Sequence, residues 1–162
     1  MTAKTVSKEE LKTLYEKDFY KWIIENVELL KNKEFDLVDW DNVIEELQSM
    51  GISEFRSVIS FMAIILEHLY KWENFRGNEN MGNILVRSIL SSRNQIYDLF
   101  EESPSLKNKV KEEIELAWKS ADRRLLNWFK YPENKHLAHK YFKRKPTEKD
   151  FPEKCPYTSN HI

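Results

Sequence analysis

The sequence contains little glycine, proline or cysteine. Its 162 residues include three glycines, five prolines and one cysteine. So few glycines and prolines leave little material for the tight turns of a strand-rich fold, and a charged fraction of 33% favours long surface helices. The single cysteine, Cys155, excludes an internal disulfide, which agrees with a reducing compartment. We therefore predict an all-α protein located in the cytoplasm.

Long apolar runs are also missing. No run approaches the roughly 20 apolar residues that cross a bilayer, and the polar start, MTAKTVSKEE, lacks the apolar centre of a signal peptide. The length is typical of one domain that can bury a core. The sequence predicts a single helical domain over 1–162, with flexible residues 1–6 and no membrane partner.

The first helix is predicted from a capping box and an apolar stripe. The hydroxyl of Ser7 can accept a hydrogen bond from the backbone of Glu10, whose carboxylate can reach back to the Ser7 amide. Apolar residues then recur every three to five positions to about residue 30, which predicts one buried stripe. Its members are Leu11, Tyr15, Phe19, Trp22, Val27 and Leu30.

Two further helices are predicted on either side of Gly51. The first is capped by Asp36 or Asp39, and Gly51 ends it as a left-handed residue. The second runs from Ser53 to Trp72 with apolar residues on most sides, so we expect it to be the central helix. Glycines and asparagines over 73–82 then predict a loop.

Three more helices are predicted before a C-terminal tail, which gives a bundle of five to six helices. One covers about residues 83–102, and Ser103 with Pro104 should cap the next, which ends near Pro132. A short helix follows over about 135–143. The proline-containing segment 150–162 lacks periodicity and predicts an extended tail that packs through Phe151 and Tyr157.

Five motifs in a fixed order resemble a known family. They are YEKDFYKW (15–22), DNVIEELQSMG (41–51), LEHLYKW (66–72), ESPSL (102–106) and FPEKCPYT (151–158). Together they resemble the bacterial domain-of-unknown-function family 29 over nearly the whole chain. The resemblance implies an entirely helical bacterial protein, and it implies no reaction, cofactor or site residue. The chain departs from the family pattern at about 119–150, where a basic, aromatic stretch replaces an acidic, alanine-rich helix.

Three residues near the centre of the chain are weak candidates for catalysis. Glu45 and Glu46 are adjacent, so on a helix they point about a quarter-turn or more apart and are poorly placed to face one small site. We expect one to face solvent and the other to pair with a cation such as Arg56 or Lys71. His68 shares a side of the central helix with core residues, so a hydrogen-bonded core histidine is the favoured interpretation.

Metal, thiol and nucleotide chemistry find little support. His136 and His139 share a spacing that can hold a metal, but two ligands do not make a site, and the flanking Lys135 and Lys140 oppose the binding of another cation. Cys155 with His161 lacks the helix terminus or base that activates a thiolate. No nucleophile elbow, phosphate-binding loop or dinucleotide fingerprint occurs. We therefore predict no metal and no cofactor.

The stretch 119–149 carries the clearest sign of a binding function. It holds ten cations against three acids, with five aromatic residues between them. Cations neutralise phosphates and aromatic rings stack on unpaired bases, although a solvated helix with core aromatics has the same composition. The candidate nucleic-acid-binding residues are Arg123, Arg124, Lys130, Lys140, Lys143, Arg144 and Lys145.

Three functions remain open at this point. The favoured hypothesis is a small non-enzymatic interaction module that binds a protein partner or itself through apolar surface. The second is a nucleic-acid-binding accessory protein that uses the basic segment, although the sequence pI of about 6.5 is low for that class. A metal-assisted or acid-base enzyme is the least favoured.

Overall fold

The computed structural model describes residues 6–162, and the regular structure in this range is entirely helical. The all-α prediction is confirmed, with seven helices in this range where five or six were expected. The predicted flexible segment 1–6 falls outside the described residues except for Val6. The helices are α1 (Lys8–Lys17), α2 (Phe19–Lys31), α3 (Trp40–Asn74), α4 (Glu79–Glu102), α5 (Leu106–Glu112), α6 (Ile114–Lys130) and α7 (Lys135–Phe142).

The chain divides into two compact units, Met1–Ser53 and Glu54–Ile162. The described part of the first unit has a small core of four buried apolar side chains. The second has a core of 18 buried residues. Apolar burial is the main favourable term in folding, so the second unit holds most of the stabilising surface.

Buried hydrogen bonds around Asp39 organise the first unit. Asp39 is fully buried, and its Oδ2 accepts from the indole Nε1 of Trp22 at 3.0 Å and from the amide of Asn42 at 2.7 Å. Its backbone N–H donates to Oδ1 of Asn26 at 3.0 Å. These bonds tie α2 to the residue just before α3, because Asp39 precedes Trp40, the first residue of that helix.

The predicted first helix is two helices, and Asp18 separates them. The capping box of Ser7 and Glu10 is confirmed, with hydrogen bonds of 3.2 and 2.8 Å. At Asp18 the backbone leaves the helical conformation (φ −152°, ψ 78°), and its carboxylate accepts from the backbone N–H of Lys21 at 3.1 Å. An aspartate that caps a new helix in this way ends the preceding one.

The predicted corner at Gly51 is wrong, because α3 continues through it as one helix of 35 residues. No glycine of the described chain has a positive φ. A helical glycine costs about 1 kcal/mol relative to alanine, and an apolar helix face that packs elsewhere can outweigh this cost. The predicted loop 73–82 is also shorter, since Asn78 accepts from the amide of Met81 at 2.8 Å and caps α4.

Gly82 lies inside α4, where it allows close packing. A Cβ atom there would lie 2.9 Å from the Trp72 ring and 3.1 Å from Cδ of Arg76. The Arg76 guanidinium stacks 4.1 Å from the centre of the same ring. The glycine that predicted a loop is therefore a contact between the end of α3 and the start of α4.

The core of the second unit combines α3, α6 and the C-terminal segment. Val58, Met62, Ile65 and Leu66 of α3 are at most 1% exposed. Phe151 and Tyr157 of the tail are buried in the same cluster, so their predicted packing is confirmed.

Polar contacts hold the tail in place. The indole of Trp118 donates to the carbonyl of Pro152 at 2.8 Å, and the hydroxyl of Tyr157 donates to Glu73 at 2.7 Å. A 3-10 turn, Glu148–Asp150, leads into the tail, and a second, Ser159–His161, lies near its end.

The region from Ser103 to Pro132 differs in detail from the prediction. Ser103 ends α4 and its hydroxyl donates to Glu54 at 2.8 Å, so it does not cap α5, which begins at Leu106. A break at Glu113 separates α5 from α6, and nothing in the local sequence explains it. The end of α6 before Pro132 is as predicted, with an extended Tyr131.

By length and composition, α3 is apolar enough to cross a membrane, and 28% of its most apolar window is buried. The core helix of a globular protein also meets this criterion of length and composition, although such a helix is mostly buried. The apolar residues Val58 to Leu66 pack in the core of the second unit, as described above.

Candidate functional site

Helix α2 carries apolar side chains on two opposite faces. Its inner face is buried and consists of Trp22, Asn26 and Leu29. At 100° per residue, four other large side chains lie together on the opposite side of the helix, which we call the outer face of α2. They are Tyr20, Ile23, Ile24 and Val27, and they are 36–74% exposed.

A second exposed apolar stripe lies at the start of α3. Trp40, Ile44 and Leu47 follow helical spacing on one side of the helix, and Leu47 is 62% exposed. In all, 11 large apolar side chains are exposed between residues 19 and 52, against four buried in the core of this unit. Scattered exposed apolar residues are normal in proteins, but contiguous apolar surface marks an interaction site.

The same unit is acidic. Residues 6–53 contain six lysines, no arginine and 12 acids, a formal charge of −6. Of these acids, Glu28 lies on α2 beside the outer face, where it forms an ion pair of 2.9 Å with Lys31, whereas Glu25 lies toward the inner face. Glu25 also lines a groove between α1 and α2 of about 590 Å³ together with Glu9 and Glu10. The exposed apolar surface of α2 therefore belongs to a unit of net negative charge.

Sequence reasoning missed the outer face of α2. It assigned Phe19 and Val27 to a buried stripe, whereas both are exposed (44% and 37%). The signal was present, because Tyr20, Ile23 and Ile24 are apolar and fall outside that stripe. A helix with apolar residues on two sides needs a second partner.

Glu45 and Glu46 do not form a catalytic pair. Glu45 is exposed, whereas Glu46 accepts a hydrogen bond of 2.6 Å from the hydroxyl of Tyr15. This bond raises the pKa of the Tyr15 hydroxyl to about 12. The expected pairing of a glutamate here with Arg56 or Lys71 is wrong, because the partner is a tyrosine and Lys71 pairs elsewhere.

A buried ionic cluster lies in the second unit. Oε1 of Glu67 contacts Nζ of Lys71 at 2.5 Å, and its Oε2 contacts Nε of Arg124 at 2.5 Å. Glu67 and Lys71 are 4% and 5% exposed, whereas about half of the Arg124 side chain reaches solvent. The Lys71 ammonium also lies 4.5 Å from the centre of the Trp128 ring.

Burial opposes the ionisation of Glu67, but Lys71 and Arg124 outweigh it and lower the pKa of the carboxyl below its ordinary value. Burial also lowers the pKa of Lys71, against the attraction of Glu67. Glu67 and Lys71 therefore form a fixed, buried ion pair, with Arg124 as a second cation beside the carboxylate. Its sequence signal was Glu67 and Lys71, four residues apart on the most apolar helix.

His68 is a partly buried, hydrogen-bonded core histidine, as the favoured interpretation expected. Its Nδ1 lies 2.7 Å from the carbonyl oxygen of Ile64. Burial lowers the pKa of its imidazole below the ordinary value. Glu45, Glu46 and His68 line none of three well-formed surface pockets of the described chain.

The candidate nucleic-acid residues have different surroundings. Arg124 turns to buried Glu67, and Arg144 forms a double hydrogen bond to Asp150 (2.8 and 2.6 Å). Lys140 lies 5.2 Å from the centre of the Tyr141 ring. Lys143 is exposed and left-handed (φ 57°).

The remaining cations of the segment are grouped. Arg123 and Lys130 share one side of α6 with Lys119, and all three are exposed. Lys130 also borders a pocket of about 480 Å³ together with Arg144 and Lys145. We call this pocket the basic pocket. Its complete lining is Phe129, Lys130, Lys135, Ala138, His139, Arg144, Lys145 and Pro146.

The histidine and cysteine candidates remain apart. His136 and His139 are exposed, and no group of three or more potential metal ligands occurs within residues 6–162. Burial raises the pKa of the Cys155 thiol, which disfavours the reactive thiolate. The Nδ1 of His161 contacts Thr158, at 3.1 Å from its backbone nitrogen.

Comparison with known proteins identifies a family. No curated protein and no solved structure matches the chain. The family model described as domain of unknown function DUF29 matches residues 14–162, which is nearly the whole sequence. The matched residues include almost all of the buried cores of both units. Because the match covers nearly the whole sequence, the chain belongs to the DUF29 family.

Proposed function

We propose that this protein is a helical interaction module that binds a cationic amphipathic helix on the outer face of α2. The observation that carries the proposal is the second apolar face of this helix, where Tyr20, Ile23, Ile24 and Val27 are exposed. Their spacing forms a stripe that suits the apolar side of another helix.

The small core of the first unit supports an external partner. Four buried apolar side chains are few for about 50 residues, and domains of that size are only marginally stable because they bury a small fraction of their surface. A helix on the outer face of α2 would bury additional apolar surface at roughly 25 cal/mol per Å². Binding would thus stabilise this unit.

The charge of the first unit selects the kind of partner. Residues 6–53 carry a formal charge of −6 that repels an identical unit, so a second copy docked through the same face would bring two acidic surfaces together. A helix with lysines or arginines beside its apolar stripe would instead meet a unit of opposite net charge, with Glu28 at the edge of the outer face. Complementary charge raises the association rate and excludes acidic competitors.

The test is titration of the full-length protein with two designed peptides by calorimetry. One peptide has leucines at helical spacing with lysines elsewhere, and the other replaces the lysines with glutamates. We expect saturable binding of the lysine peptide only. Ile24→Ser with Val27→Ser should weaken it at least about tenfold, a loss of roughly 1.4 kcal/mol.

The matched control is Ile84→Ser with Leu90→Ser, which removes two exposed apolar side chains from α4 and should leave binding unchanged. Light scattering and sedimentation with neutral phospholipid vesicles complete the test. If the protein forms a concentration-dependent dimer that the α2 variant loses, the outer face of α2 binds a second copy and not a cationic helix. If α2 binds the vesicles, this face binds a membrane instead. Absence of peptide binding at high micromolar concentration would reject the proposal.

A further inference from the structure

We propose that the basic pocket binds the phosphate group of a nucleotide. This site is independent of the outer face of α2, and each proposal can fail without the other. Cations surround this pocket, hydrogen bonds hold one of its walls, and apolar residues lie beneath the cations.

The cations around the pocket come from three successive segments. Lys130 is the last residue of α6, Lys135 begins α7, and Arg144 and Lys145 follow α7. His139, on α7, completes the polar lining, and no acidic residue lines the pocket. A concave surface with cations on several sides concentrates positive potential more than a flat surface does.

The chain path after α7 builds one wall of this pocket. Lys143 adopts a left-handed conformation, and its N–H bonds to the carbonyl of His139 at 3.0 Å, which ends the helix. Arg144 is then fixed by its double hydrogen bond to Asp150. Asp150 in turn accepts from the backbone of Thr147 at 2.7 Å. These hydrogen bonds hold this wall of the pocket in place.

Three of the cations have no fixed acidic partner. Lys130, Lys135 and Lys145 form no ion pair within residues 6–162, whereas Arg144 is neutralised in part by Asp150. Three unpaired ammonium groups around one cavity repel one another, and an oxyanion between them removes that repulsion. Phosphate carries enough charge and acceptor oxygens to contact several of them at once.

The floor of the pocket favours a ligand with an apolar part. It consists of Phe129, Ala138 and Pro146, all of which are buried. A volume of about 480 Å³ lies in the range of small-molecule sites, roughly 300–1,000 Å³, and exceeds what inorganic phosphate alone would fill. A nucleotide combines a phosphate with a flat, weakly polar base, which matches the two parts of this lining.

The nucleotide can be free or the end of a strand. A basic stripe formed by Lys119, Arg123 and Lys130 continues from the pocket along α6 for roughly 16 Å. A strand with a 5′-phosphate in the pocket could place its next phosphates on this stripe. Free AMP would use the pocket alone.

Calorimetry on the full-length protein at low salt tests the proposal with AMP, adenosine and a 5′-phosphorylated oligoadenylate. We expect AMP to bind and adenosine to fail, because the phosphate carries the interaction. Oligoadenylate affinity at least about tenfold above that of AMP, with steep salt dependence, would identify a strand end as the ligand. Equal affinities would identify the free nucleotide.

The variant Lys130→Gln with Lys145→Gln should reduce the affinity for AMP by at least about tenfold, since each lost charge removes a charge-assisted contact. The control Lys8→Gln with Lys154→Gln removes the same charge from exposed sites elsewhere and should have no effect. If the pocket variant unfolds, chemical acetylation of the unmodified protein gives the same information, because bound AMP should protect Lys130 and Lys145 from the reagent. The proposal is overturned if neither AMP nor the oligonucleotide binds, or if both variant pairs respond alike.

Discussion

Glu67 shows how a single residue in the core sets the behaviour of its neighbours. Its carboxylate is shared between Lys71 and Arg124, so it is the counter-charge of both cations. A buried pair contributes modest net stability, because desolvation offsets much of the attraction. Removal of one partner is costly, because the other charge is left buried. Glu67 is therefore a sensitive position for a test of the second unit.

Glu67→Gln should lower the free energy of unfolding by about 3 kcal/mol, because it leaves the Lys71 ammonium buried without a counter-charge. Urea denaturation followed by circular dichroism at pH 7 measures this change. Glu45→Gln removes the same charge from an exposed position and should change stability by less than about 0.5 kcal/mol. A small effect of Glu67→Gln would show that the cluster is not formed.

The pH dependence follows from the lowered pKa of Glu67. A carboxyl whose folded pKa lies below its ordinary value of 4.5 stabilises the fold above that pH. This contribution is lost as the pH falls through the folded pKa. We expect the stability of the unmodified protein to fall more steeply below pH 4.5 than that of Glu67→Gln, and parallel curves would contradict this assignment.

At the scale of elements, two glycines have roles opposite to their sequence signals. Gly51 predicted the end of a helix but lies within α3 with no atom within 4 Å of a Cβ position. Gly82 predicted a loop but lies within α4 against Trp72. Glycine has no side chain, so its local signal cannot separate a turn from a close helix contact.

Gly51→Ala should stabilise the protein by up to about 1 kcal/mol, because alanine favours the helix and has room for its methyl group. Gly82→Ala should destabilise it by roughly 1–3 kcal/mol, because the added methyl collides with the Trp72 ring. Chemical denaturation of the two variants measures both effects. Destabilisation by Gly51→Ala would indicate that the corner predicted from sequence exists after all.

At the scale of the whole molecule, the two units differ in how much apolar surface they bury. The second unit has 18 buried core residues and the first has four in its described part. Local opening requires less free energy where fewer apolar contacts are lost. The unit proposed to bind a partner is thus the less stable one, which permits adjustment on binding.

Native-state hydrogen exchange should resolve this difference. We expect amides of α2 to exchange through openings of lower free energy than amides of α6 around Trp118 and Leu125, which are at most 1% exposed. The lysine peptide of the binding test should slow exchange in α2 and leave α6 unchanged. Equal protection of both helices would contradict the inferred difference in stability.

The amino-acid sequence by itself determined the helical class and many helix ends. The capping box at Ser7, the stop before Pro132 and the short helix α7 depend on neighbouring residues, so their signals are local. The five ordered motifs also sufficed for the family resemblance. The burial of His68, Phe151 and Tyr157 followed from helical spacing and from the apolar character of isolated residues.

The tertiary structure alone decided which apolar and charged residues acquire partners. Spacing placed Val27 in a buried stripe, but only packing shows that the outer face of α2 remains exposed. Composition grouped Arg124 with Lys130, yet one pairs with buried Glu67 and the other borders the basic pocket. Such contacts join residues that are distant in sequence, and the free energy of a charge depends on what surrounds it in three dimensions.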